Sequence, residues 1–263
     1  MNVVIVSAAS LAMLALVYGA TFVIGRRIGR YNVVDVTWGA SFVVVAAVAA
    51  AIGDGDLFRR LLLLAMVAVW GLRLAWHMVG KSAGKGEDPR YDDLLHGDFS
   101  PTNVLRKIFL IQGAMAWFIS LPLQLSASLG PTPAGLMPVL IAGVALWVVG
   151  VLFEALGDHQ LRRFKSDAAN EGAIMDRGLW SWTRHPNYFG DSAVWWGLWL
   201  VGIAGWPSLL TVLSPVAMTY FLVFATGARL LERTMMQREG YPEYAERTSM
   251  FFPLPPRSGA RKA

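Results

Sequence analysis

The sequence predicts an all-α, polytopic membrane protein with seven transmembrane helices, its N-terminus outside and its C-terminus cytoplasmic. Three observations predict it. Of 263 residues, 55% are apolar and only 16% charged, a balance outside the range of ordinary soluble domains. Seven stretches approach the roughly 20 apolar residues that a helix needs to cross about 30 Å of hydrocarbon. The basic residues also sort to one side of those stretches, which gives the chain a direction.

The stretches run 2–24, 33–52, 57–79, 108–127, 135–156, 190–204 and 207–227. The first has no Lys or Arg ahead of it and Arg26, Arg27 and Arg30 behind it, unlike a cleaved signal peptide, so it is expected to stay as a helix. The second opens on Asp35, the third closes on Arg73 and His77, and the fourth carries Gln112 early. The fifth ends on Glu154, and the sixth, the shortest, opens on Asp191. With seven spans, the loops after helices 1, 3 and 5 and the tail share a face. That face holds Arg26, Arg27, Arg30, Lys81, Lys85, Arg90, Arg106, Lys107, Arg162, Arg163, Lys165, Arg177, Arg184 and the basic residues from Arg229 onward. The opposite face has only Arg59 and Arg60. An even number of spans would scramble this sorting. The net charge of +5 is therefore mostly a topology signal, and no nucleic-acid partner is expected. The long polar segments 80–107, 157–189 and 228–263 fall on the basic face, and no internal repeat divides the chain, so residues 1–263 read as one domain.

Several chemistries are excluded. The chain has no cysteine, which removes disulfides, thiolate nucleophiles, thiolate-bound haem and cysteine-ligated iron–sulfur clusters. The pair Gly84 and Gly86 lacks the third glycine and the strand and helix of a dinucleotide fingerprint. No histidine pair has the spacing of a helical zinc site, so no metal is expected.

Ionisable groups inside a bilayer cost several kcal/mol and usually mark a site or a compensated pair. Asp35, Arg73, His77, Gln112, Glu154 and Asp191 all fall in the cytoplasmic half of their helices, which favours a shared polar cavity over scattered interhelical pairs. Three segments beside it carry chemistry. The first, Arg184-His185-Pro186-Asn187-Tyr188-Phe189-Gly190-Asp191, leads into helix 6, and Pro186 restricts the residues before it to an extended or turn shape, making a rigid polar elbow. In the second, Glu154, Asp158 and Arg162 are spaced by four and share a face if helix 5 continues, with Lys165 beyond them; Arg162 and Lys165 suit phosphates. The third is the tail, Glu232 followed by Gly240-Tyr241-Pro242-Glu243-Tyr244.

Together with Asp35 and Trp38 in helix 2 and the run Gly86-Glu87-Asp88-Pro89-Arg90-Tyr91, these segments resemble an uncharacterised bacterial membrane family, a domain of unknown function grouped with the steroid 5-alpha-reductases. The resemblance covers nearly the whole chain. It implies an oxidoreductase of the bacterial cytoplasmic membrane that uses NADPH to reduce a C=C bond in an apolar lipid, sterol-like or isoprenoid substrate. In the reductases an acid and a tyrosine polarise a carbonyl while hydride goes to the beta carbon. Carried over, Asp35 resembles that acid. Helix 3 departs from the pattern in having no tyrosine, so His77 or Tyr91 takes its place. Asn187 and Asp191 look like the residues at the nicotinamide end, with Arg184, His185 and Tyr188 of the elbow around them. Glu154, Asp158, Arg162 and Lys165 resemble the adenosine and phosphate end. Arg73, Glu232 and Tyr241 complete the expected cofactor-binding set.

The elbow and the tail glutamate with its tyrosines are also similar to those of isoprenylcysteine and phospholipid methyltransferases, which makes an S-adenosylmethionine-dependent methyltransferase the alternative enzyme. Those tails usually carry adjacent glutamates, and here Glu232 follows Leu231. A lipid-binding or transport protein using the same cavity is the non-enzymatic alternative, although no broken or repeated helix pair supports transport.

Overall fold

The computed structural model describes residues 2–84, 86–225 and 227–256. Lys85, Arg257, Arg261 and Lys262, which entered the charge sorting, lie outside them. The described residues are helical throughout apart from turns and one isolated parallel bridge between Thr183 and Ser249. Five helices are long and apolar enough to cross a membrane: Asn2–Ile28, Val33–Ile52, Leu57–Ser82, Ala134–Ser166 and Trp206–Met235. They coincide with five of the seven apolar stretches.

The other two stretches are helical but differ from expectation for local reasons. Residues 101–126 form α5 (Pro101–Val104), a π turn (Leu105–Leu110), α6 (Ile111–Ile119) and α7 (Leu121–Ser126). The break at Ser120 lies between Pro122 and Phe118, whose carbonyl four residues back the proline ring crowds and to which it offers no N–H. The sixth stretch is α9 (Pro186–Val201), 16 residues or about 24 Å long, closed by Gly202.

The chain divides into two compact units, Met1–Ile141 with Leu198–Ser214, and Ala142–Gly197 with Pro215–Ala263. In the first, α1 (Asn2–Ile28) packs on α2 (Val33–Ile52) and α2 on α3 (Leu57–Ser82). Without a hydrophobic drive between helices in lipid, small residues permit close approach. A Cβ on Gly39 would stand 2.5 Å from the Gly71 carbonyl oxygen, and one on Gly71 would stand 2.6 Å from that of Gly39. Phe42, Val45, Val67 and Trp70 fill the adjoining core. At the other end of this hairpin Asp56 caps α3, accepting from the Arg59 amide at 2.8 Å. The wholly buried Arg59 donates to Ser126 Oγ at 2.8 Å and to the carbonyls of Ser126, Leu129 and Gly130 at 2.8–3.1 Å. It thereby ties the end of α7 and the loop after it to the start of α3.

Helix α8 (Met137–Ser166), all of it beyond Ile141 in the second unit, runs 30 residues, about 45 Å, so its last turns extend past a hydrocarbon core of about 30 Å. Gly143 and Gly150 of α8 meet Gly197 and Gly190 of α9. A Cβ on Gly150 would lie 2.6 Å from the Gly190 oxygen, and one on Gly197 2.7 Å from the Gly143 oxygen. Two contacts seven residues apart on each helix define an antiparallel pair in near backbone contact. The unit closes with α10 (Leu213–Tyr220, of which Leu213 and Ser214 belong to the first unit), α11 (Ala228–Met235) and α12 (Tyr241–Arg247).

Candidate active site

In the first unit the run Gly86–Tyr91 folds as a strap at the start of α2. Helix N-termini leave amides without partners, and the Glu87 carboxylate accepts from two amides there, those of Tyr31 and, at 2.9 Å, Asn32. Asn32 returns a side-chain bond to the Gly86 carbonyl at 2.9 Å. Asp88 then caps α4 (Pro89–Leu95), accepting from the Arg90 amide at 3.0 Å, with Pro89 in the first helical position, where its missing N–H costs nothing. This short helix carries two side chains onto Asp35. The Tyr91 hydroxyl donates to Asp35 Oδ1 at 2.6 Å, and Arg90 Nη2 donates to Asp35 Oδ2 at 3.1 Å. Gln112 of α6 donates to the Tyr91 oxygen at 3.4 Å.

Electrostatics complete the cluster. Arg90 also grips Asp88 through two bonds of 3.0 and 2.8 Å, which hold the Asp88 carboxyl below its usual range and push the guanidinium upward. Tyr91 is buried, and burial, followed by the Asp35 charge, pushes its phenol well above the ordinary value. At neutral pH Tyr91 is therefore a proton-bearing donor held by a carboxylate. Arg73 and His77, four apart on α3, are half-buried.

In the second unit the elbow and tail meet on one carboxylate oxygen. Glu232 Oε1 receives Arg184 Nε at 2.9 Å and the Tyr241 hydroxyl at 2.7 Å, and lies 2.9 Å from His185 Nε2. Arg184 Nη1 reaches the Ala245 and Thr248 carbonyls at 2.7 Å each, at the end of α12. Its amide donates to Ser249 at 2.8 Å, and the buried Thr183 hydroxyl donates to the Phe251 carbonyl at 2.9 Å. The Tyr244 hydroxyl donates to the Trp180 carbonyl. Burial pushes the phenols of Tyr241 and Tyr244 upward, with the bond to Glu232 the next cause at Tyr241. His185 stacks on Tyr188, centroids 5.5 Å apart and planes within 6°. The expected cofactor residues Arg184, His185, Glu232 and Tyr241 are thus joined in one internal network.

Helix α8 continues past the apolar stretch, so Glu154, Asp158 and Arg162 do share a face. Glu154 and Asp158 are buried, as is Asp191 on α9, whereas Arg162 and Lys165 are exposed on the last turns. The Asn187 amide donates to Asp158 Oδ1 at 3.3 Å. Gly190 leaves room for the Glu154 backbone, which a Cβ would approach to 2.6 Å. The sequence reading missed Arg90 as a partner of Asp35 and Glu87 as a cap on the approach to α2. The Asp88-Pro89 pair, a helix-start signal, was the legible clue to the strap.

Residues 21–248 match the family described as "Protein of unknown function (DUF1295)". The chain belongs to this family. It is also similar to 3-oxo-5-alpha-steroid 4-dehydrogenase 1 of Mus musculus, 26% identical over 117 residues, which are 44% of this chain and 43% of the mouse protein. The Bos taurus protein of the same name is 29% identical over 110 residues, 41% of this chain and 40% of its own. An uncharacterised protein of Schizosaccharomyces pombe is 33% identical over 95 residues, 35% and 27% of the two chains. The chain thus spans less than half the length of these relatives. No solved structure matches it. By its five long apolar helices this DUF1295 chain is an integral membrane protein, and its described residues form no regular element other than helix.

Proposed function

We propose that this protein reduces a C=C bond conjugated to a carbonyl in an apolar lipid, sterol-like or isoprenoid, with NADPH as hydride donor. The observation that carries the reading is the buried Tyr91 hydroxyl held at 2.6 Å by Asp35 at the start of an apolar helix. Names of relatives that act on 3-oxo-5-alpha-steroids support it. The donor set of the second unit fits the cofactor: exposed Arg162 and Lys165 suit phosphates, and buried Asp158 with Asn187 offers an acceptor and an amide to ribose or nicotinamide. NADPH, when bound, would supply the hydride. Tyr91 would turn its proton toward the substrate oxygen and stabilise the charge that gathers there as the double-bond pair moves onto it. Asp35, Arg90 and Gln112 would hold the hydroxyl in place, and water would return a proton to the alpha carbon. The internal network of Arg184, His185, Glu232 and Tyr241 would act by fixing the elbow from which Asn187, Tyr188 and Asp191 project.

The reading includes all seven spans, with the N-terminus outside and the tail cytoplasmic, and the whole chain as one catalytic domain. Because the chain has no cysteine, single cysteines at Asp54 and Ser166 should label from opposite sides of sealed vesicles, and labelling from the same side rejects this topology. For the activity, calorimetry on the purified protein should show NADPH binding, and a lipid extract incubated with both should show a species heavier by two hydrogens. Binding of S-adenosylmethionine in place of NADPH would select the methyltransferase, which the elbow and tail network serves equally well. Binding of neither cofactor would leave the lipid-binding reading.

A further inference from the structure

Beyond its last helix the second unit carries an apolar patch that the catalytic reading does not use. After α12 the chain runs back over the elbow. The Arg184 amide donates to the Ser249 carbonyl at 2.8 Å, the Thr183 hydroxyl to that of Phe251 at 2.9 Å, and the Leu254 amide to that of Trp182 at 3.0 Å. These bonds bring three large side chains to the surface, Trp182, Phe252 and Leu254, which are 46%, 65% and 53% exposed. A single exposed apolar residue needs no explanation, but three on two hydrogen-bonded segments mark an interaction surface.

Ring contacts set the depth of the patch. The Phe252 ring lies 6.3 Å from that of Phe189 on α9, and Phe189 lies 5.1 Å from Phe153 on α8. Phe153 stands three residues before Leu156, where the apolar stretch of α8 ends, so it is about 4.5 Å inside that end. Leu152 and Leu156 beside it are exposed, and the patch therefore continues the lipid-facing side of the helix. The backbone suits this place as well. Non-helical chain at a membrane boundary must leave few polar groups without partners. Pro253, Pro255 and Pro256 have no N–H to satisfy, and the Leu254 amide is bonded to Trp182. We infer that the tail returns to the bilayer after α12 and seats Phe252, Leu254 and Trp182 among the headgroups and upper acyl chains. Tryptophan favours that interface. Lipid is the occupant because the patch is continuous with surface that lipid already covers. The elbow, tied to the carbonyls of Ser249 and Phe251, is thereby steadied from the membrane side.

Because the chain has no cysteine, nitroxides on single cysteines test this in the full chain, reconstituted in phosphatidylcholine nanodiscs. The measurement is collision with oxygen, which concentrates among acyl chains, against collision with a water-soluble nickel chelate. Phe252→Cys and Leu254→Cys should each favour oxygen about threefold more than Ser166→Cys at the exposed end of α8, and should approach Leu152→Cys. Both side chains are exposed, so the substitutions should leave the fold intact, and if one variant fails to fold the other carries the test. Collision ratios at both positions equal to that at Ser166 overturn the inference and leave the patch to water or a soluble partner. So does spectral broadening at Phe252→Cys that disappears on dilution with unlabelled chain, which would assign the patch to a second copy.

Discussion

The two units each gather donors on one carboxylate, and they do so in opposite styles. In the second, a single oxygen of Glu232 takes Arg184, His185 and Tyr241, and the arginine continues to two backbone carbonyls. In the first, the two oxygens of Asp35 divide between Tyr91 and Arg90, and Arg90 is itself exposed. A carboxylate crowded by three donors from two distant segments organises chain, since losing it strands several buried groups at once. A hydroxyl with one close acceptor, and a single longer donor in Gln112, can change partner. The difference separates scaffold from chemistry.

Tyr91→Phe should test the chemical end most strongly. It keeps the ring and removes the donor, so turnover should fall about 100- to 1000-fold, with thermal stability in detergent nearly unchanged. Asp35→Asn should also lower turnover while NADPH binding survives. Should both variants turn over normally, the first cluster is structural and the comparison inverts. Glu232→Ala should do the opposite. By leaving Arg184 and His185 without their anion it should cost about 3 kcal/mol, seen as a lowered melting temperature and early proteolysis in the tail. Wild-type stability would show that the network is ornamental. Next in size comes Gly150→Leu, which drives a side chain into the Gly190 carbonyl. Forcing α8 from α9 should cost about 2 kcal/mol, and cofactor binding should weaken with it, because Asp158 and Asn187 sit on those two helices.

Much of this was readable from the chain. Five apolar stretches became long helices that start within one residue of the expected bounds, since length and hydropathy decide that outcome almost alone, although the fifth and seventh run on past their apolar ends to Ser166 and Met235. The fourth stretch resisted because Pro122 broke a run whose composition still looked continuous. Asp35 and Tyr91 were both named from sequence, and the resemblance put forward Tyr91 beside His77 for one role, but their 2.6 Å contact depends on the turn of α4, which spacing does not reveal. Arg184, His185, Glu232 and Tyr241 were legible as polar and clustered. That they bind each other was not, because a donor and an acceptor 48 residues apart leave no local pattern. The Gly143, Gly150, Gly190 and Gly197 contacts are likewise invisible until the two helices are paired.

The smallest effect expected distinguishes the units by titration. Tyr91 in the first and Tyr241 and Tyr244 in the second all have phenols raised by burial. A raised folded-state value means that folded protein holds the proton above about pH 10, where an unfolded tyrosine releases it. Stability from these groups is fully present below that pH and declines as pH rises toward the folded-state values. Tyrosinate absorbance in folded protein should therefore lag the full amplitude of the seven tyrosines, the remainder appearing only on unfolding. Tyr241→Phe should flatten the alkaline decline and lower stability at neutral pH, because it removes both the titrating phenol and its bond to Glu232. Tyr91→Phe should flatten the decline while sparing neutral stability, because the bond it removes serves a movable donor. If the two variants behave alike at neutral pH, the distinction between a fixing carboxylate and an orienting one does not hold.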